Sequence, residues 1–249
     1  MTTSVSKDAV LVLAPEKRGA AACLSLGAHA SLQAVYEAPD SPEFIRRTLG
    51  GALSWQLRNE NTVIQAVRSP RLAPQFLAAL LALGAEVLVG ESARASMAGE
   101  GKLLADVLRQ ATPHFDSVSA VCVPLDVPGR AWGESRVART PADAPIVMAI
   151  AVVDLDDSME GKRAIVRQAR LALTGAWGEP ARLVKSAELL VGDALSADRI
   201  QQVAAAVEQE VAPRDDFYGS ADYRRAMSAV LTRRALEDCQ RHWAGTGKE

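Results

Sequence analysis

The run Pro145–Asp154 constrains the fold of this chain more than any other segment. It is apolar throughout, with Ile146, Val147, Met148, Ile150, Val152 and Val153 at odd and even positions alike. Successive side chains of a strand point to opposite faces, so a run of this kind belongs in the middle of a sheet that is covered on both sides. The rest of the chain supplies elements to cover it. Ala73–Leu83 is an almost unbroken alanine and leucine run that ends at Gly84, and it reads as a helix buried on several faces. Ser196–Val211 places Ile200, Val203, Val207 and Val211 on one helical face, with Ser196 as the cap. A chain of 249 residues, 49% of them apolar, can bury a proper core in one or two domains. Aromatic residues make up only 4%, so that core is expected to be built from alanine, valine and leucine.

Shorter segments complete the pattern. Ala9–Leu13, Cys23–Leu26, Glu86–Val89, Ser117–Leu125 and Arg130–Ala138 read as strands. Ser31 opens a short helix, and Ser41 with Pro42 opens another. Lys102–Gln110 and Ser186–Val191 read as further helices. Trp55–Pro70 has little amphipathic period and reads as loop, with an extended piece at Thr62–Val67. Arg163–Thr174 fits a strand or a helix, and the acidic interval Asp154–Gly161 reads as a hairpin tip.

Several function classes are disfavoured on simple grounds. A net charge of −2 offers no concentrated basic surface for nucleic acid or an anionic membrane. No stretch approaches the roughly 20 apolar residues that span a bilayer, and the short apolar run Ala9–Leu13 is too brief for a leader core, so a cytoplasmic location is expected. Cys23, Cys122 and Cys239 are far apart and read as small buried hydrophobes rather than metal ligands. His29, His114 and His242 have no ligand spacing, so no metal is expected. Gly99-Glu100-Gly101-Lys102 superficially matches a phosphate loop, but Leu103 stands where a magnesium-binding hydroxyl is required.

Near the C-terminus, Asp215-Asp216-Phe217-Tyr218-Gly219-Ser220-Ala221-Asp222-Tyr223-Arg224-Arg225 runs into a helix. Ser220 fits an N-cap, and Asp222 complements the positive end of the helix dipole. Tyr223, Met227, Val230 and Leu231 recur at helical spacing, and Arg224, Arg225, Arg233 and Arg234 read as a solvated face. Asp156-Asp157 and Asp215-Asp216 read as turn and cap residues, not as an acid/base pair.

This stretch resembles the closing signature of the flavoprotein (medium) subunits of the carbon monoxide dehydrogenase and xanthine dehydrogenase family of molybdenum hydroxylases. Further pieces are similar to that family in the same order. They are Leu57-Arg58-Asn59-Glu60-Asn61-Thr62-Val63, the passage Ala79–Val87, and Gly175-Ala176-Trp177-Gly178-Glu179-Pro180-Ala181-Arg182. The resemblance implies an α+β fold in two parts. Residues 1–158 would be a reduced flavin-binding subdomain, and residues 159–249 the C-terminal sheet-plus-helices domain. It also implies FAD as cofactor, with a molybdenum-cofactor large subunit and an iron–sulfur small subunit as partners. The chain would then be an oxidoreductase component.

The departures from the family lie where the cofactor would be held. The family's Thr-Ile pair continues into Gly-Gly-Asn/Asp, since glycine lets backbone amides approach a dinucleotide. Here Thr62-Val63 is followed by Ile64, Gln65 and Ala66. Gln75 stands where the family carries an aspartate facing the flavin. The match begins near Leu24, after the position of the family's first glycine-rich loop, and residues 1–22 hold only Gly19. FAD binding is therefore expected to be weakened or lost, with a structural role for the chain. The alternative is an FAD-binding electron-transfer subunit, with the missing subdomain supplied by another chain. The residues the resemblance leaves as cofactor contacts are Asn59, Thr62, Arg139 and Asp143. Each also reads as ordinary structure: Asn59 and Thr62 as turn residues, and Arg139 and Asp143 as part of a charged hairpin edge.

Overall fold

A computed structural model describes residues 10–13, 23–89, 101–110, 115–125, 127–140, 143–156 and 164–246. The chain forms two compact units, residues 1–126 and 127–249. The fold is α+β. The unit boundary falls after Asp126, not near residue 158, because the two strands that follow it join the later sheet. The tip of the expected hairpin, from 157 to 161, lies outside the described residues.

The first unit is built on an antiparallel sheet of five strands: β1 (Val10–Leu13), β2 (Cys23–Gly27), β3 (Glu86–Val89), β4 (Lys102–Leu103) and β5 (Val118–Pro124). Their order is β1-β2-β5-β3-β4. Its helices are α1 (Leu32–Glu37), α2 (Glu43–Ala52), α3 (Trp55–Glu60), α4 (Val63–Arg68), α5 (Pro74–Leu83) and α6 (Leu104–Leu108). Every residue of α5 from Gln75 to Leu83 is buried, in keeping with a helix that is apolar all round. Cys23 and Cys122 are joined by a disulfide between β2 and β5, so two of the three cysteines are more than buried hydrophobes. Cys239 remains a free buried thiol, and its burial pushes its pKa well up.

Residues 55–60 and 63–68 are helical, against the expectation of loop with an extended piece at Thr62–Val67. Local side-chain bonds supply what the weak amphipathic period does not. Ser54 accepts from the Leu57 amide to start α3, and Thr62 and Gln65 form a reciprocal capping box at the start of α4. A box of this kind satisfies first-turn amides without an apolar stripe, which is why hydrophobic periodicity missed it.

The second unit is a four-stranded antiparallel meander: β6 (Arg130–Val137), β7 (Val147–Asp156), β8 (Ile165–Thr174) and β9 (Ala181–Leu183). β7 is central and buried from Val147 to Leu155, as its sequence demands. The ambiguous segment after residue 163 is strand β8. A 3-10 turn at Lys185–Leu190, then α7 (Ala197–Glu210) and α8 (Ala221–Thr246), follow the sheet. Residues of α7 and α8, including Val203, Val207, Leu231 and Leu236, share one core with β7 and β8.

α8 presents a different face from the one its large apolar residues suggest. Arg224, Ser228, Leu231, Thr232, Ala235, Leu236 and Cys239 are buried, whereas Tyr223 is 40% exposed. Small residues let the helix lie close on β6. A Cβ on Gly133 would stand 2.1 Å from the Ala235 carbonyl oxygen and 2.6 Å from Asp238 Cβ. The polar residues at 224, 228 and 232 hide this face from a hydrophobicity count. No helix among the described residues is long and apolar enough to cross a membrane.

Candidate functional site

Two local constellations contain the residues singled out by sequence. The first is the corner between α3 and α4, in the first unit. Asn59 is exposed, and its side-chain amide donates to the Trp55 carbonyl at 2.9 Å, a bond within its own helix. Asn61 does the same to Leu57, at 2.7 Å. The Thr62 amide donates to Gln65 Oε1 at 2.8 Å, the Thr62 hydroxyl lies 3.1 Å from the same oxygen, and the Gln65 amide donates to Thr62 Oγ1 at 3.4 Å.

A helix N-terminus is where a phosphate would be expected to bind, because its first amides lack intrahelical partners. Here those amides are engaged. Val63 N–H donates to the Ala30 carbonyl at 3.0 Å and Ile64 N–H to the Ala28 carbonyl at 2.9 Å. Leu32 N–H returns a bond to the Asn61 carbonyl at 2.8 Å, so the turn after β2 and the start of α4 are clamped together. Ile64 is 7% exposed and packs into the unit, and Gln65 occupies the Thr62 amide as well as its own cap. The residues present do not fit a cradle for the pyrophosphate of FAD. Neither free amides nor space of the kind glycines would leave is found at Ile64 and Gln65. Gln75, at the position expected to face the flavin, is buried near the start of α5.

Arg58 is the residue at this corner that sequence reasoning passed over. It is 9% exposed; its Nε donates to Gln33 Oε1 at 2.8 Å, and a terminal nitrogen donates to the Leu53 carbonyl at 2.5 Å. Its guanidinium also lies 4.5 Å from the Tyr36 ring centroid. It ties α1, α2 and α3 to one another, so the arginine of the Leu57–Val63 motif serves the scaffold. The signal for it was the motif itself, which marked the position without disclosing which way the side chain turns.

The second constellation is built by the C-terminal signature, in the second unit. Arg224 is 6% exposed, which corrects its reading as a solvated charge. One terminal nitrogen donates to the Ile146 carbonyl at 2.5 Å and lies 3.3 Å from the Gly175 carbonyl, and the other donates to Asp216 Oδ2 at 2.6 Å. Asp216 Oδ1 accepts from the Tyr218 and Gly219 amides at 2.8 and 3.1 Å. The Arg224 guanidinium, helped by these amides, holds the Asp216 carboxyl below the usual carboxylate range. Asp215 accepts from the Ala221 amide at 2.6 Å, and Ser220 accepts from the Tyr223 amide at 3.1 Å. The paired aspartates are turn and cap residues, as their sequence setting suggests.

Arg139 and Asp143 lie in the connection between β6 and β7. Arg139 reaches the signature turn: its guanidinium carbon is 4.7 Å from the Phe217 ring centroid and 5.4 Å from that of Tyr218. Asp143 accepts from the Thr140 amide at 3.1 Å and closes its own turn. The four sequence-derived residues are thus split, with Asn59 and Thr62 in one compact unit and Arg139 and Asp143 in the other. Among the described residues no group of three or more His, Cys, Asp or Glu side chains is placed to hold a metal. Of the residues that superficially match a phosphate loop, Gly99 and Glu100 lie outside the described residues, and Lys102-Leu103 is strand β4.

Residues 135–239 match the family described as the CO dehydrogenase flavoprotein C-terminal domain. Over 218 residues, covering 87% of this chain and 73% of the relative, the chain is 28% identical to YgfM of Escherichia coli (strain K12). It is also 28% identical over 185 residues to the nicotine 6-hydroxylase medium subunit of Paenarthrobacter nicotinovorans, covering 73% of this chain and 61% of that subunit. Among solved structures, a chain of reconstituted CO dehydrogenase from Oligotropha carboxidovorans superposes with a TM-score of 0.72 at 21% identity, covering 94% of this chain and 79% of the other. At that identity the likeness concerns the fold.

Proposed function

From the chain's membership of the flavoprotein (medium) subunit family of the molybdenum hydroxylases, we propose that it serves as a subunit of a molybdenum-hydroxylase-type oxidoreductase complex in which its own FAD binding is weakened or lost. Its contribution is then structural, in the company of a molybdenum-cofactor large subunit and an iron–sulfur small subunit, in the cytoplasm. The observation that carries the reading is the closed start of α4. Its first amides are bonded to Ala28, Ala30 and Thr62, and its side chains are Ile64 and Gln65 in place of glycines. A dinucleotide placed there would have to break bonds that hold the helix to the turn after β2. Each broken bond costs on the order of 1 kcal/mol, and more where a buried group is left unpaired.

The competing reading is an FAD-binding subunit that passes electrons from iron–sulfur clusters to an acceptor. What favours it is the match of residues 135–239 to a family described as a CO dehydrogenase flavoprotein domain. The visible spectrum of the purified chain separates the two, together with its melting temperature with and without added FAD. A colourless protein whose melting temperature FAD does not move agrees with the structural role. Stoichiometric flavin absorbance would overturn it.

A further inference from the structure

We propose that the turn from Asp216 to Tyr223, with Arg139 stacked against it, is the surface by which this chain docks onto a partner subunit that presents a carboxylate to Arg139. The inference rests on reading the chain as a subunit of an assembly, and it names the face that the assembly uses. Phe217 is 80% exposed, Tyr218 59% and Tyr223 40%. Apolar side chains exposed singly are ordinary. These are not scattered: two of the chain's three tyrosines and one of its four phenylalanines stand within seven residues of one another.

The turn that carries them is held rigid. Asp216 bonds the Tyr218 and Gly219 amides and the Arg224 guanidinium, Asp216 and Gly219 exchange backbone bonds, and Asp215 and Ser220 fasten the start of α8. Rings displayed on a preorganised turn lose little conformational freedom on binding, which favours association. Aromatic residues and arginine are also the side chains enriched at the energetic centres of protein interfaces.

Arg139 supplies the charge argument. It lies against both rings, and among the described residues it forms no ion pair with a carboxylate; its bond to the Phe217 carbonyl is long, at 3.4 Å. A carboxylate on a partner would complete it, and burial between the surfaces would strengthen the pair. The arginines beside Asp222 and Asp216 are paired with those carboxylates, so the turn offers no concentrated basic surface of the kind that nucleic acid or anionic lipid requires. A protein with an acidic group beside an apolar recess is the occupant this chemistry selects.

The test uses the full chain co-expressed with a molybdenum-cofactor large subunit and an iron–sulfur small subunit of the family, with assembly measured by sedimentation and amide hydrogen exchange. Wild type is expected to assemble, with protection gained at residues 217–223. F217A/Y218A is expected to weaken association by about thirty-fold or more, which is about 2 kcal/mol at 1.4 kcal/mol per decade. R139E should do likewise, and R234E, at an exposed arginine farther along α8, should not. The rings are exposed, so F217A/Y218A should melt as wild type does, which separates lost docking from lost folding. If F217A/Y218A assembles like wild type, the docking face is wrong while the subunit reading stands. If wild type fails to assemble, the subunit reading falls and this inference with it. Self-association of wild type that F217A/Y218A abolishes would make a second copy the occupant and overturn the partner named here.

Discussion

Arg224 gathers the Ile146 carbonyl, the Gly175 carbonyl and the Asp216 carboxylate at one buried point, and thereby joins the β6–β7 connection, the turn after β8 and the start of α8. Its sequence neighbours gave no hint of this, because Arg225, Arg233 and Arg234 do follow the surface pattern and only burial separates the first from the rest. What was legible was the pairing of aspartates with caps, since Asp215, Asp216 and Ser220 precede a helix and such residues favour first-turn amides. Asp216 carries a testable pH dependence. Its carboxyl is depressed in the folded state, chiefly by Arg224, so its contribution is present above the unfolded carboxylate pKa near 3.9 and fades as pH falls through the lower folded value. D216N should lower the urea midpoint at pH 7 by an amount equivalent to about 2 kcal/mol, the range for a hydrogen bond to a charged group. The gap to wild type should narrow progressively below about pH 4, as urea melts at several pH values would register. A gap that stays constant with pH would argue against the charged pair.

At the scale of elements, the strands and the buried helix were readable because period and composition agree. β7 is apolar from Val147 to Val153 and is central, and α5 is apolar from Phe76 to Leu83 and is buried there on all sides. α3 and α4 were not, because their stability is local and polar: the Ser54 cap and the Thr62–Gln65 box do not register as a hydrophobic period. The face of α8 was misjudged for a related reason. Close packing against β6 calls for small residues, so Ser228, Thr232 and Ala235 are inside while Tyr223 stays half in water. Gly133 sits at this contact, and G133A would drive its new Cβ to 2.1 Å from the Ala235 carbonyl oxygen. Neither backbone can yield easily, so G133A is expected to lose about 3 kcal/mol in a chemical melt, at the upper end for overpacking. An unchanged melt would show that α8 does not lie on β6 as described.

For the whole molecule, two compact units divide the chain at Asp126 and each has its own sheet. Pro124, Pro128 and Gly129 mark a loop at the boundary, but the acidic turn-rich interval that begins at Asp154 looks as much like a linker, and the sequence does not say which of the two divides the units. Residues 127–249, expressed alone, are expected to melt cooperatively with a mixed helix and strand spectrum by circular dichroism. A non-cooperative or unfolded product would show that the second unit depends on the first. The site was legible to a different degree in each unit. The signature from Asp215 to Arg225 pointed correctly to kinship. The replacement of glycines by Ile64 and Gln65 pointed to a changed cofactor loop, although that the loop is closed by Ala28 and Ala30 could be seen only once the turn after β2 was placed against α4. The most direct test of that closed loop is an equilibrium titration of the full chain with FAD, followed by flavin fluorescence. No saturation is expected up to roughly 100 µM, a binding free energy weaker than about −5.5 kcal/mol. Saturable one-to-one binding at micromolar FAD would contradict a closed loop.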